Sequence, residues 1–393
     1  MKRILKKTLI GLSIIITLII VILLYTTIMT TRHNVKIYKQ VYNGDLKYFK
    51  SGHIIVNVKI NGSNKTYPFI LDNGAKTTVF DNLLNDFEFT TIAYMPSRDV
   101  NKKITINPVF RIDTFVINNS IIVTDVAANL HSSKIFKCDN NIYGIIGNDI
   151  MKNLVWQFDF PKNKYYVSSN INKLKFKNDT FSTEFNGKGK ISMIINNSVN
   201  KVLIDLGSTS SLKYKVRVKN NDKFYKNKWL KIYGNTGFGI NGYNNSIKTS
   251  QVFIDSITIG ANKLFNIDGV IAEKTANIIG LDFLKNFIVT FNFPDNKIIF
   301  AINKEQVFRK KHFGFKPIIK DSLLQIGTLY ENSILYEDNI RVGDEIIQIN
   351  SIKIDKNFDL CNFDASKYDT LNISIKVFDQ VKKYKVIRDY YFK

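Results

Sequence analysis

A chain of 393 residues exceeds one ordinary core, so two or three folded units are expected. An apolar share of 45% with only 6 prolines and 20 glycines excludes collagen-like and low-complexity architectures, and 29 phenylalanines with 19 tyrosines supply large side chains for cores. The formal charge of +23 is scattered in single, double and triple basic residues with no arginine-rich face, which reads as a solvated, lysine-rich surface weakly drawn to anionic bilayers, not as a nucleic-acid binder.

The first element carries topology. Lys2, Arg3, Lys6 and Lys7 precede the apolar run Leu9 to Tyr25, long enough to approach the span of a bilayer as a helix. A signal peptide has the same basic start, but a shorter apolar region and small residues before its cleavage point; here Thr26, Thr27, Ile28 and Met29 follow, so an uncleaved signal anchor is expected. Positive charge before the helix places the N-terminus in the cytoplasm and everything after about residue 30 outside. No cysteine lies near enough for a lipid anchor.

An internal repeat organises the middle of the chain. Residues 145–167, IIGNDIMKNLVWQFDFPKNKYYV, match residues 278–300, IIGLDFLKNFIVTFNFPDNKIIF, at an offset of 133. The same offset lays FILDNGAKTTVF (69–80) over VLIDLGSTSSL (202–212), so that Asp72 falls on Asp205 and Gly74 on Gly207, and each Asp stands 75 residues before the Gly of its IIG. Each copy reads as β structure. HIIVNVKI, Asn61-Gly62 and TYPFILD form a hairpin, and ISMIINNSVNKVLID repeats it. After each IIG, apolar spacings of three and four predict a short helix beginning at Asp149 or Asp282, then a strand, a Phe-Pro-x-Asn-Lys turn and another strand.

Two apolar-apolar-Asp-x-Gly loops, each with Ile-Ile-Gly downstream, resemble the retropepsin-like and pepsin-like aspartic peptidases over roughly residues 45 to 302. The resemblance implies a mainly β, bilobal aspartic-peptidase β-barrel fold in which Asp72 and Asp205 form the catalytic pair. Asn73, Gly74, Gly207 and Ser208 would support the catalytic loops, with Ile145-Ile146-Gly147 and Ile278-Ile279-Gly280 bracing them. The physical logic agrees: two close carboxyls share a proton, one acts as general base on a water, and the other polarises a scissile carbonyl, so no cofactor is needed. The middle position departs from the family, which has Thr or Ser there and uses the hydroxyl to clasp the two loops; Asn73 retains hydrogen-bonding groups and Leu206 has none, so the clasp is one-sided. A flap hairpin is expected near TIAYMPSRD and YGNTGFGINGYNN, with Tyr94 and Gly237 as candidates for contact with substrate.

After Ala301 the basic stretch KEQVFRKKH reads as a connector. DSLLQIGTLYENSILYEDNIRVGDEIIQINSIKI, chiefly through Arg341 to Asn350, resembles a PDZ domain, which implies a small α+β unit taking a peptide by strand addition at an edge near Leu323, Leu324 and Ile326. The expected organisation is therefore a transmembrane helix in 1–30, lobes at 45–170 and 180–302, and a PDZ-like domain at 312–393. The cysteines, Cys138 and Cys361, lie in different units and reveal neither a disulfide framework nor a redox compartment. His33, His53, His131 and His312 are scattered without HExxH, so no metal site is expected. Expected partners are a polypeptide substrate, a peptide ligand of the C-terminal unit and the membrane, with no nucleic acid. Two functions remain open: a membrane-anchored aspartic endopeptidase, favoured by the retained aspartates, and a degenerate peptidase scaffold that binds peptides or organises an envelope complex, favoured by Asn73 and Leu206.

Overall fold

Alternation of buried and exposed side chains makes Ile54–Ile60 a strand, and Asn61 and Gly62, at φ of 47° and 76°, turn the chain back into Tyr67–Asp72. The computed structural model describes residues 2–390 apart from 32, 39, 99–102, 136–140, 177–178, 188, 196, 216–228, 235–237, 240–241, 244–248, 273–274, 303–305 and 356–357. The fold is mainly β, with one N-terminal helix, Lys2–Thr31, whose segment Ile10–Thr30 is long and apolar enough to cross a membrane. The short helices follow each IIG, as Asn148–Met151 and Leu281–Leu284.

Each copy of the repeat closes a β-barrel. In the first, Ile121–His131, Thr78–Phe80, Gly144–Gly147, Tyr67–Asp72, Ile54–Ile60 and Ile104–Ile117 pair in that order, and Ile104–Ile117 returns to pair with Ile121–His131. In the second, Lys190–Ile195, Ser198–Ile204, Ile278–Ile279, Leu212–Lys215, Asn262–Ala272 and Thr249–Ile259 do the same, the last pairing with the first. In both barrels the IIG strand lies parallel to the strand that ends in the repeat's Asp.

Between them runs an antiparallel floor, in the order Val41–Asp45, Lys164–Ser168, Val155–Asp159, Phe287–Asn292, Lys297–Ile302, Thr180–Asn186. Its central pairing places Gln157 opposite Thr290, residues 133 apart, and Gln157 Nε2 donates to Thr290 Oγ1 at 3.1 Å. A residue facing its own counterpart marks a pseudo-twofold axis at that point. Trp156, Phe158 and Phe291 are fully buried beneath it, Phe158 edge-on to Phe291 at 6.0 Å, and the Trp156 indole donates to Met151 O.

The C-terminal unit has its own core, with Leu324, Ile326, Leu335, Ile346, Ile349, Ile373 and Ile375 buried. It nonetheless continues a sheet of the second barrel: Trp229–Gly234 pairs with Leu323–Tyr330. The connector is docked too, Phe308 stacking on Phe283 at 4.8 Å and Lys310 bonding Asp282 at 2.7 Å. Cys361 is disulfide-bonded, which corrects the expectation of isolated thiols.

Trp156→Ala should lower unfolding free energy by about 3–5 kcal/mol, the range for truncating a buried aromatic. Chemical denaturation checks this, and a change below about 1 kcal/mol would show that the floor does not join the two copies energetically.

Candidate functional site

Two parallel pairings aim the aspartates at each other. Gly144–Gly147 beside Tyr67–Asp72 sets Gly147 level with Asp72, and Ile278–Ile279 beside Ser198–Ile204 ends one residue before Asp205. The Asp72 and Asp205 carboxyls are hydrogen-bonded to each other. Each also accepts from the amide two residues on, Gly74 N to Asp72 Oδ1 at 2.7 Å and Gly207 N to Asp205 Oδ1 at 2.9 Å. A Cβ on Gly207 would lie 2.2 Å from the Asp72 carboxyl, so only glycine admits the opposing carboxyl there. The bracing glycines obey the same constraint: a Cβ on Gly147 would lie 2.4 Å from the Lys76–Thr77 backbone, and one on Gly280 would lie 2.4 Å from Ser208 O and Ser210 O.

Asn73 joins the halves. Its Nδ2 donates to Ile204 O at 2.6 Å and its Oδ1 accepts from Leu206 N at 2.9 Å, with Asn73 and Leu206 both buried. One amide side chain thus fills a donor and an acceptor role across the axis, while Leu206 offers only its backbone N–H. Asn148 adds a further bond between the copies, Nδ2 to Gly187 O at 3.0 Å. The hydroxyl of Ser208 pairs with Ser210 Oγ at 2.8 Å.

The electrostatics are asymmetric. Burial raises both carboxyls above the ordinary range, and Asp205 is raised well above it because the charge of Asp72 adds to burial. Against burial, Asp72 has the Gly74 amide, the bond to Asp205 and the charge of His53. Both shifts favour a protonated form, so the pair as a whole resists losing its last proton. His53, which sequence reasoning passed over, places Nε2 at 3.1 Å from Gly207 O and Nδ1 at 2.8 Å from Ser51 Oγ. A carbonyl only accepts, so Nε2 carries a proton. Lys213 was missed as well; burial lowers its pKa while the neighbouring Asp205 charge opposes that fall.

The remaining predicted residues scatter. Tyr94 lies on Thr90–Arg98, a hairpin strand paired with Ile104–Ile117, and is 69% exposed. The hairpin's other face carries Ser97 and Asn107, within 3.4 Å and 3.2 Å of His131 Nε2, and His131 is paired with Phe80 just past the Asp72 loop. The face turned toward His131 is thus the polar one, opposite Tyr94. Gly237 lies outside the described residues. Leu323, Leu324 and Ile326 sit in Leu323–Tyr330, which pairs with Phe315–Lys320 on one side and with Trp229–Gly234 and Glu345–Ile349 on the other, so this strand is interior to the sheet and not the edge expected of it. Beside the residues expected to take a peptide, Gln325 pairs with Glu345 and Ile326 bonds Asp344 and Gly343, while Trp229–Gly234 pairs further along with Thr328, Leu329 and Tyr330.

Compared with models of known protein families and with curated proteins, the chain matches none.

Asn73→Ala should cost about 2–4 kcal/mol of stability, because it strands the buried Leu206 N–H and Ile204 C=O; a loss below about 1 kcal/mol in denaturant titration would refute the clasp. The carboxyls hold protons in the folded state at pH values where the unfolded chain, near the ordinary value of about 3.9, has released them. Their contribution to stability is complete below that value and is lost as pH rises through the raised folded pKa. Asp205→Asn should therefore flatten the decline and raise the melting temperature at neutral pH. Thermal melts across pH test it, and an unchanged pH slope would contradict the assigned burial.

Proposed function

We propose that the chain is an aspartic endopeptidase of the bilobal β-barrel type, anchored by its N-terminal helix with the N-terminus cytoplasmic and the folded part outside, and carrying a PDZ-like C-terminal unit. One observation carries the reading: two hydrogen-bonded, partly desolvated carboxyls, Asp72 and Asp205, related by the 133-residue repeat and set for one shared proton.

The chemistry follows from that shared proton. A water held between the carboxyls gives a proton to the Asp72 carboxylate as its oxygen attacks the scissile carbonyl carbon, and Asp205 gives its proton to the carbonyl oxygen. The resulting gem-diol collapses when a hydroxyl proton returns to Asp205 and the proton on Asp72 passes to the leaving nitrogen, breaking the C–N bond. Water is the nucleophile, so the cycle closes without a covalent intermediate or cofactor. The substrate is a polypeptide lying across the carboxyls, under the hairpin formed by Thr90–Arg98 and Ile104–Ile117.

Asn73 answers the main objection to activity. The scaffold reading rested on lost clasp chemistry, yet both cross-axis bonds are made by Asn73 alone. Nothing in the loop geometry then favours an inert scaffold.

Full-length protein in detergent should cleave members of a diverse peptide mixture, and Asp72→Asn should reduce the rate on the order of 10²–10⁴-fold. The alkaline limb of the pH profile should fall above the ordinary carboxylate range, because loss of the second proton is what the raised pair resists. Identical products from wild type and variant, or none from either, overturn the reading.

A further inference from the structure

The hairpin of Thr90–Arg98 and Ile104–Ile117 is inverted relative to an ordinary surface hairpin. Its inner face is polar, with Ser97, Thr105 and Asn107 hydrogen-bonded together. Its outer face is apolar and open. Cross-strand pairs set Tyr94 opposite Pro108, Pro96 opposite Ile106, and Arg98 opposite Ile104. Tyr94, Ile104 and Ile106 are 69%, 66% and 72% exposed. Three large apolar side chains so exposed on one face of adjacent strands mark a contact surface, whereas single exposed ones need no explanation.

The register says what covers it. Asn34–Ile37 pairs antiparallel with Ile121–His131, as Ile104–Ile117 does, so Asn34–Ile37 and Ile104–Ile117 run in the same direction. Asn34 is level with Thr124, which faces Thr114, and Ile37 is level with Ile121, which faces Ile117. The chain leaving the N-terminal helix therefore runs away from the hairpin tip, and the helix lies on the tip side. The helix end is fixed there without a spacer. Arg111 Nη2 donates to Met29 O at 2.8 Å while Arg111 Nη1 bonds Asp125 at 2.9 Å, Thr30 is buried, and the helix packs against both Thr90–Arg98 and Ile121–His131. A cation against the last helical carbonyls also suits the helix dipole.

We infer that the outer face of this hairpin seats in the headgroup region of the same bilayer that the N-terminal helix crosses, with Tyr94, Ile104 and Ile106 reaching about 5–10 Å into the interface. Charge agrees with the apolar surface. Arg98 lies on this face, a cation that suits anionic headgroups. An aromatic ring at the boundary is likewise a membrane-interface arrangement. The inference rests on the reading of Ile10–Thr30 as a membrane span and is independent of catalysis.

The test uses full-length protein in vesicles of phosphatidylcholine and phosphatidylglycerol whose acyl chains carry bromine near the headgroup. Ile106→Trp should add emission, above the background of Trp156 and Trp229, that is blue-shifted and quenched by the brominated lipid. Phe378→Trp, at a side chain 92% exposed in the C-terminal unit, should add emission that is not quenched. Quenching at 106 no greater than at 378 overturns the inference. A blue shift at 106 without bromine quenching also overturns it, pointing to a second copy if it grows with protein concentration and to bound peptide if it appears only on peptide addition. Vesicle flotation of the wild type separates the premises: a chain that does not float sinks the anchor reading and this inference with it, while floating without quenching sinks this inference alone. Neither result bears on peptide hydrolysis.

Discussion

The side chain of Asn73 holds the molecule's two halves in the one relation that brings Asp72 and Asp205 together. Its two bonds across the pseudo-twofold axis are short and shielded from water, so each is worth more than a surface bond, and breaking either leaves a buried partner unsatisfied. Everything nearby is arranged around that closeness. Gly207 leaves room for the opposing carboxyl, and Gly147 and Gly280 let the bracing strands press against the loops from below. Far below, Gln157 and Thr290 meet on the same axis, so the floor and the loops are two ends of one symmetry element.

The symmetry is broken where chemistry would need it broken. In the first copy Asp149 accepts from both the Thr77 amide and hydroxyl, and Thr77 Oγ1 accepts from Gly147 N, a closed brace under the Asp72 loop. The corresponding Asp282 bonds Lys310 of the connector, and Ser210 bonds Ser208. His53 approaches the carboxyl pair from the first copy alone. Burial and the charge of Asp72 raise Asp205 well above the ordinary range, while the Gly74 amide and His53 oppose the rise at Asp72. Leu206 is part of the same asymmetry, since its side chain cannot hydrogen-bond and leaves Asn73 to make the clasp from one side.

Much of this was legible in the sequence because the repeat carries register. An offset of 133 pairs Asp72 with Asp205 and puts Asn73 opposite Leu206, and apolar spacings of three and four predict a short helix after each IIG. The turn residues were equally readable: Asn61, Asn163 and Asn296 take left-handed φ where the hairpins reverse. What escaped were partners chosen across the fold. His53 lies in an ordinary strand lead-in and becomes notable only when Gly207 arrives beside it. The PDZ resemblance made Leu323–Tyr330 an edge, but whether an edge stays open depends on what docks there, and Glu345–Ile349 and Trp229–Gly234 both do.

That docking gives the two barrels hairpins of unequal freedom. In the second, Trp229–Gly234 is held between Thr249–Ile259 and the C-terminal unit; Tyr233 stacks on Tyr336 at 5.1 Å, and Lys231 bonds Glu331 at 3.2 Å. Gly234 is required at this seam, since a Cβ there would lie 2.1 Å from Gly327 O. Moving this hairpin means moving the whole C-terminal unit with it. The first barrel's hairpin has no strand along the outer side of Thr90–Arg98 among the described residues, and polar contacts to His131 hold its inner face. The first hairpin also carries the exposed apolar face and packs against the N-terminal helix, which is long and apolar enough to cross a membrane.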